Sequence, residues 1–145
     1  MHGNGGGGES RMWENLALIG CGGTLYVMVE LVYRGRSHAS MFLLGGVCFW
    51  LIGLLDEVFP SAPLPVQMVL GAWGIVSLEF LTGLVVNRWL RLGVWDYGAQ
   101  PHNLLGQVCL PFAAWWAVLA GAAVVVDDLL RFTLFGEAFV LPRLL

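Results

Sequence analysis

Two acidic residues lie in runs that are otherwise oily: Glu30 in Val29-Glu30-Leu31 and Glu79 in Leu78-Glu79-Phe80. An ionised carboxylate in hydrocarbon is costly, so an acid inside an apolar helix turns to the bundle interior and takes a partner there. Arg34 stands four residues after Glu30, one helical turn away, with Tyr26 and Tyr33 at neighbouring positions of the same face. Glu79, Thr82, Gly83 and Asn87 fall at i, i+3, i+4 and i+8, which makes one polar stripe along a second helix. Carboxylates so placed bind a cation, exchange a proton, or hold helices together by hydrogen bonds across the interface.

A third group lies in a loop. Val94-Trp95-Asp96-Tyr97-Gly98-Ala99-Gln100-Pro101-His102-Asn103 gathers two aromatics, an acid, a histidine and two amides within ten residues. Trp95 and Tyr97 suit a membrane interface, and Asp96 is placed to pair with Arg88, Arg91 or Arg34. Asn103 and Gln107 follow one turn apart, and Pro111 cannot donate to the carbonyl of Gln107, which leaves that acceptor free. Glu30, Arg34, Glu79, Asn87, Asp96, Asn103 and Gln107 are therefore expected to form one polar pocket near one membrane face.

Other chemistries lack their residues. No GxSxG, HExxH or CxxC occurs, so neither a hydrolase nor a redox centre has a nucleophile, base or metal set, and the chain is expected not to be an enzyme. His38 and His102 have no ligand spacing, and neither a metal nor a cofactor is expected. Cys21, Cys48 and Cys109 sit in apolar runs as packing residues, and the remaining tryptophans, Trp115 and Trp116 among them, read as belt or packing residues.

These residues are carried by a membrane composition. Of 145 residues 58% are hydrophobic and 12% charged, with mean hydropathy +0.76, too little polar surface to cover a soluble domain. Seven arginines, no lysine and a net charge of −3 leave no basic stripe for nucleic acid. A hydrocarbon core of about 30 Å needs about 20 apolar residues in a helix. Four segments come near this, at 15–34, 40–58, 64–87 and 104–126. The expected fold is all-α and polytopic: a glycine-rich flexible tail over 1–13, a four-helix transmembrane domain over 14–126, and an interfacial segment over 127–145.

The two halves resemble each other. Leu43-Leu44-Gly45-Gly46-Val47-Cys48-Phe49 aligns with Leu104-Leu105-Gly106-Gln107-Val108-Cys109-Leu110 with five identities, and an acid-bearing span precedes each block. This predicts two parallel-repeat helical hairpins about an axis along the membrane normal, with the site between them. Loops 35–39 and 88–103 hold Arg34, Arg36, Arg88 and Arg91 at or beside them, against Arg11, Arg131 and Arg143 on the other side. The excess places those two loops in the cytoplasm.

The run from Ser77 to Leu110 resembles the ABC-transporter type IV family, also called CmpB-like, of small bacterial integral membrane proteins. Glu79, Thr82-Gly83, Trp95-Asp96-Tyr97, Pro101, Asn103, Gly106 and Cys109-Leu110 carry the resemblance, and Glu30, Tyr33-Arg34 and Gly45 extend it over about residues 16–126. The family's serine after Trp-Asp-Tyr is Gly98 here. The resemblance implies a multi-pass, permease-like protein of the bacterial cytoplasmic membrane. The acids, the polar stripe and the loop themselves give Glu30, Arg34, Glu79, Thr82, Asn87, Trp95, Asp96, Tyr97, Asn103 and Gln107 as the substrate- or ion-binding candidates. Two functions stay open: a transporter or transport-complex membrane subunit, and a non-transporting module that binds a lipid headgroup or a partner protein at the cytoplasmic interface. Four spans enclose little space, so a homo-oligomer or a partner membrane protein is expected among the membrane lipids, and an ATP-driven version needs an ATP-binding subunit in trans.

Overall fold

The structure, a computed structural model, describes residues 6–144. It is built on four helices: α1 Gly6–Arg34, α2 Ala39–Val58, α3 Leu64–Gly83 and α4 Leu110–Leu130. π-helical turns extend α3 over Leu84–Trp89 and α4 over Arg131–Phe135. Three of these helices, over Gly7–Arg34, Leu64–Trp89 and Leu110–Phe135, are long and apolar enough to cross a membrane, and the apolar part of α2, Ala39–Leu55, is shorter.

Each boundary has a local cause. α1 stops at Gly35, whose φ of +68° and N–H to the Leu31 carbonyl at 2.9 Å close the helix in the left-handed conformation that glycine adopts freely. His38 caps α2, its Nδ1 accepting from the Ser40 N–H at 3.1 Å. Pro63 and Pro65 open α3, and Pro111 lies in the first turn of α4, where a missing N–H has no carbonyl to reach anyway.

α1 packs chiefly on α2 and α3 on α4, while α2 also touches α3 and α4. Small residues bring the first pair together: a Cβ at Gly45 would strike the Tyr26 ring, and one at Gly46 the Ile19 carbonyl. Gly71 lies against Ala120 and Gly121 against Met68 in the second pair. Leu64 N donates to the Arg143 carbonyl at 2.6 Å and Arg131 reaches Glu57, so the α2–α3 connection and the C-terminal segment share one end. Loops 35–39 and 90–102 meet at the other, where Arg34 Nη2 donates to the Val94 carbonyl at 2.8 Å.

Four expectations change. Residues 6–13, assigned to the flexible tail, are helical, because they continue α1 outward with Glu9 in its first turn; residues 1–5 lie outside those described. Span four begins at Leu110 instead of residue 104. The preceding residues form a small hairpin, β1 Asn103–Leu104 and β2 Val108–Cys109, paired antiparallel with Asn103 opposite Cys109. The aligned heptapeptides therefore differ in structure: 43–49 is helix, whereas Leu105 (φ +54°) and Gly106 (φ +71°) turn the hairpin. Finally, the interfacial segment expected over 127–145 does not begin as a separate element: α4 runs on through its π turn to Phe135, and Gly136 (φ +70°) then ends helical structure among the described residues, which stop at 144.

Candidate functional site

Glu79 is 2% exposed on α3, and each of its oxygens accepts one hydrogen bond. The Tyr97 hydroxyl donates to Oε1 at 3.0 Å, and Trp116 Nε1 donates to Oε2 at 2.9 Å. The donors come from the 90–102 loop, loop 3, and from α4, so three segments converge on one carboxylate. Both are neutral, and no arginine or histidine lies within ion-pair distance of Glu79 among the described residues. Tyr97 stacks on Phe112 at 4.8 Å, and Trp116 faces Tyr26 on α1 at 6.0 Å. Burial, and then the adjacent carboxylate, hold the Tyr97 phenol well above the ordinary tyrosine range, so it keeps its proton for Glu79.

The second acid has a different environment. Arg34 Nη1 meets Glu30 Oε1 at 2.7 Å, and the Ser37 hydroxyl donates to Oε2 at 2.6 Å. This pair lies at the end of α1 beside Val94, on the wall of a polar cavity of about 170 Å³ that also has Arg36, His38 and Leu92–Val94 around it. Glu30 is thus neutralised locally, and Glu79 is not.

A third network fixes the loop. Asn87 is carried on the π turn after α3, where a residue is added to the helical repeat and the chain bends into loop 3. Its Nδ2 donates to Gln107 Oε1 at 2.9 Å, and its Oδ1 accepts from the Val94 N–H at 2.7 Å. The Gln107 carbonyl accepts the Trp95 indole N–H at 2.9 Å; it lies before α4 begins, so it is free of the helix for that reason and not through Pro111. Gly83 makes room for Gln107, since a Cβ there would meet its side-chain amide.

The expected single pocket is thus divided. Ser37, Glu30, Arg34, the Val94 backbone, Asn87, Gln107 and Trp95 form one bonded chain, and Glu79 joins the same end of the bundle through Tyr97. Asp96 and Asn103 do not enter it. Asp96 Oδ1 accepts from the Gly98 N–H at 2.7 Å and pairs with no arginine among the described residues, while Asn103 donates to the Gly98 and Gln100 carbonyls and accepts from the Gly106 N–H. Both fold the loop on itself, which is what short amide and acid side chains do in turns. Thr82 is half-buried one turn from Glu79 and takes no part in these bonds. Trp95, expected at the interface, is 3% exposed and pins the loop to the hairpin. Trp116 and Ser37 are the contributors that the sequence reading missed. A buried indole N–H needs an acceptor, and an oily span offers few besides its acids; that is the signal Trp116 carries.

Glu79 also floors an apolar cavity of about 230 Å³, walled by Tyr26, Cys48, Phe49, Trp116 and aliphatic residues of all four helices. Cys48 and Cys109 are buried free thiols and Cys21 is half-buried. No group of three metal-ligating side chains occurs among the described residues.

The sequence model of the family described as "Putative ABC-transporter type IV" matches residues 17–135, which takes in α1 from residue 17, the other three helices and the whole site. The chain belongs to this family. As a member of the ABC-transporter type IV family with three membrane-length apolar helices, it is a transport-related membrane protein. No match was found among curated proteins or among solved structures.

Proposed function

We propose that this protein is a permease-like membrane component, a transporter or the membrane subunit of a transport complex, and not an enzyme. In this reading all four helices cross the bacterial inner membrane as two hairpins, α1–α2 and α3–α4, with loops 35–39 and 90–102 in the cytoplasm. The observation that carries it is Glu79: a carboxylate buried inside the bundle, held by two neutral donors from separate segments and, among the described residues, by no cation. A purely structural acid would be expected to have the local counter-charge that Glu30 has in Arg34. Glu79 is the group that binds the transported ion or exchanges a proton, while the hairpins move against each other around it. A second copy or a partner subunit completes the pathway, and an ATP-binding subunit in trans would drive it.

A second reading has its own support. The cavity of Arg34, Arg36, Ser37 and His38 suits an anionic headgroup or an acidic partner segment at the interface, without transport.

Accessibility separates the two. Single cysteines at positions 79, 83 and 87, in a chain with Cys21, Cys48 and Cys109 replaced by alanine, are treated with a membrane-impermeant thiol reagent from either side of sealed vesicles. Transport expects position 79 or 83 to react from both sides. Reaction from one side only removes the permease reading and leaves the interfacial module.

A further inference from the structure

α1 and α4 are not a closely packed pair; they meet through aromatic rings, Tyr26 with Trp116 at 6.0 Å and Tyr33 with Phe112 at 6.5 Å. The 230 Å³ cavity lies between them, with α2 and α3 as its floor and the half-exposed Leu25, Val29 and Leu119 at its rim. It is therefore a groove open toward the lipid. Its walls are aliphatic and aromatic, and among the described residues its single charged group is Glu79.

A groove that held only a hydrocarbon chain would gain nothing from a buried acid, which costs free energy in that setting. A carboxylate offers about four acceptor positions, and the Tyr97 and Trp116 donors use two of them. What the site lacks is positive charge, and what surrounds the vacancy in charge is aromatic surface. Tyr26, Phe49 and Trp116 line it, and aromatic rings are the side chains that attract alkylammonium groups. The volume lies somewhat below the range of about 300–1,000 Å³ usual for drug-sized ligands, so the occupant is small.

We propose that the groove between α1 and α4 binds a small hydrophobic organic cation, its charge against Glu79 and its apolar body along Tyr26, Phe49 and Trp116. This names a substrate class for the Glu79 site and rests on reading that site as a ligand site. The cation enters from the lipid side, so it must partition into the membrane before it binds.

The probe is radiolabelled benzyltriethylammonium, measured by equilibrium dialysis against the protein in lipid nanodiscs, with empty nanodiscs subtracted. Saturable binding of one ion per chain is expected. Glu79→Gln should weaken it by about tenfold or more, as loss of one charge contact of about 1.4 kcal/mol implies; Glu79→Asp should retain part of it, and Glu57→Gln, at the far end of the bundle, should leave it unchanged. Uncharged benzyl butyl ether should not compete. Absence of saturable binding to folded wild-type protein overturns the proposal, as does equal binding by a folded Glu79→Gln or equal competition by the ether, which would make the groove a lipid-tail site. If Glu79→Gln fails to fold, Tyr26→Leu takes its place, with a several-fold loss expected and no loss counting against the proposal. The measurement is at equilibrium and needs no transport. Binding together with one-sided labelling of α3 keeps the cation site and removes the permease; two-sided labelling without binding does the reverse.

Discussion

Trp116→Phe keeps an aromatic ring beside Tyr26 and removes the N–H that meets Glu79 Oε2. A buried acceptor left without its donor costs about 1–3 kcal/mol. The substitution is expected to lower the unfolding free energy in lipid nanodiscs by that amount. In a Glu79→Gln background the loss should shrink, because one carboxylate oxygen has become an NH₂ group that cannot accept from either donor. The double-mutant cycle should therefore show coupling of about 1 kcal/mol or more; additivity within about 0.5 kcal/mol would mean that the indole and the carboxylate do not act on each other. At this scale the sequence was half legible. Glu79 stands out because a charge in an oily helix has few innocent explanations, whereas Trp116 stands 37 residues away on another helix and looks like any belt tryptophan. Asp96 misled for the opposite reason: its type suggested an ion pair, but a turn two residues on satisfied it first.

Elements are positioned here by a few backbone conformations, and Gly35 and Gly106 allow one of them to be isolated. Both have positive φ, +68° and +71°, and differ in what a Cβ would meet: nothing within 4 Å at Gly35, Asp96 Oδ1 at 2.8 Å at Gly106. Gly35→Ala is expected to cost about 1–2 kcal/mol, the left-handed penalty alone. Gly106→Ala should cost more, because Asp96 must leave the Gly98 N–H to make room, and amide hydrogen exchange should speed up through residues 94–107. Equal costs for the two variants would show that the Asp96 turn does not brace the hairpin. The same hairpin explains why α4 was misplaced. Its heptapeptide shares five of seven residues with a helical one on α2. Gln107, which stands where α2 has Gly46, bonds Asn87 from within the block, while Pro111 and the loop that buries Trp95 act from outside it.

Taken whole, the molecule has two chemically different ends. Arg34, Arg36, Arg88 and Arg91 lie at or near the end where loops 35–39 and 90–102 touch, and among the described residues only Arg34 of these four is in an ion pair. At the other end Arg11 and Arg131 both reach Glu57, and Arg131 also reaches Asp127 at 2.7 Å. The first end has four arginines against Arg11, Arg131 and Arg143 at the other, and this excess is what sets the expectation that the first end faces the cytoplasm. α2 is the helix on which the topology depends, since its apolar stretch is the shortest. At 20 residues it is nevertheless about 30 Å long, the thickness of the hydrocarbon core. It also joins the arginine-rich end to the turn at 59–63 by the opposite end. Gln100→Cys and Ser61→Cys, both at exposed loop positions, test this in the cysteine-free background. A membrane-impermeant maleimide should modify position 100 in inverted vesicles only and position 61 in intact cells only. The reverse pattern would invert the orientation while keeping the crossings. Labelling of both positions from one side would mean that α3 does not cross, and because the connections at 35–39 and 90–102 are held together through Arg34 and Val94, α2 could not cross either.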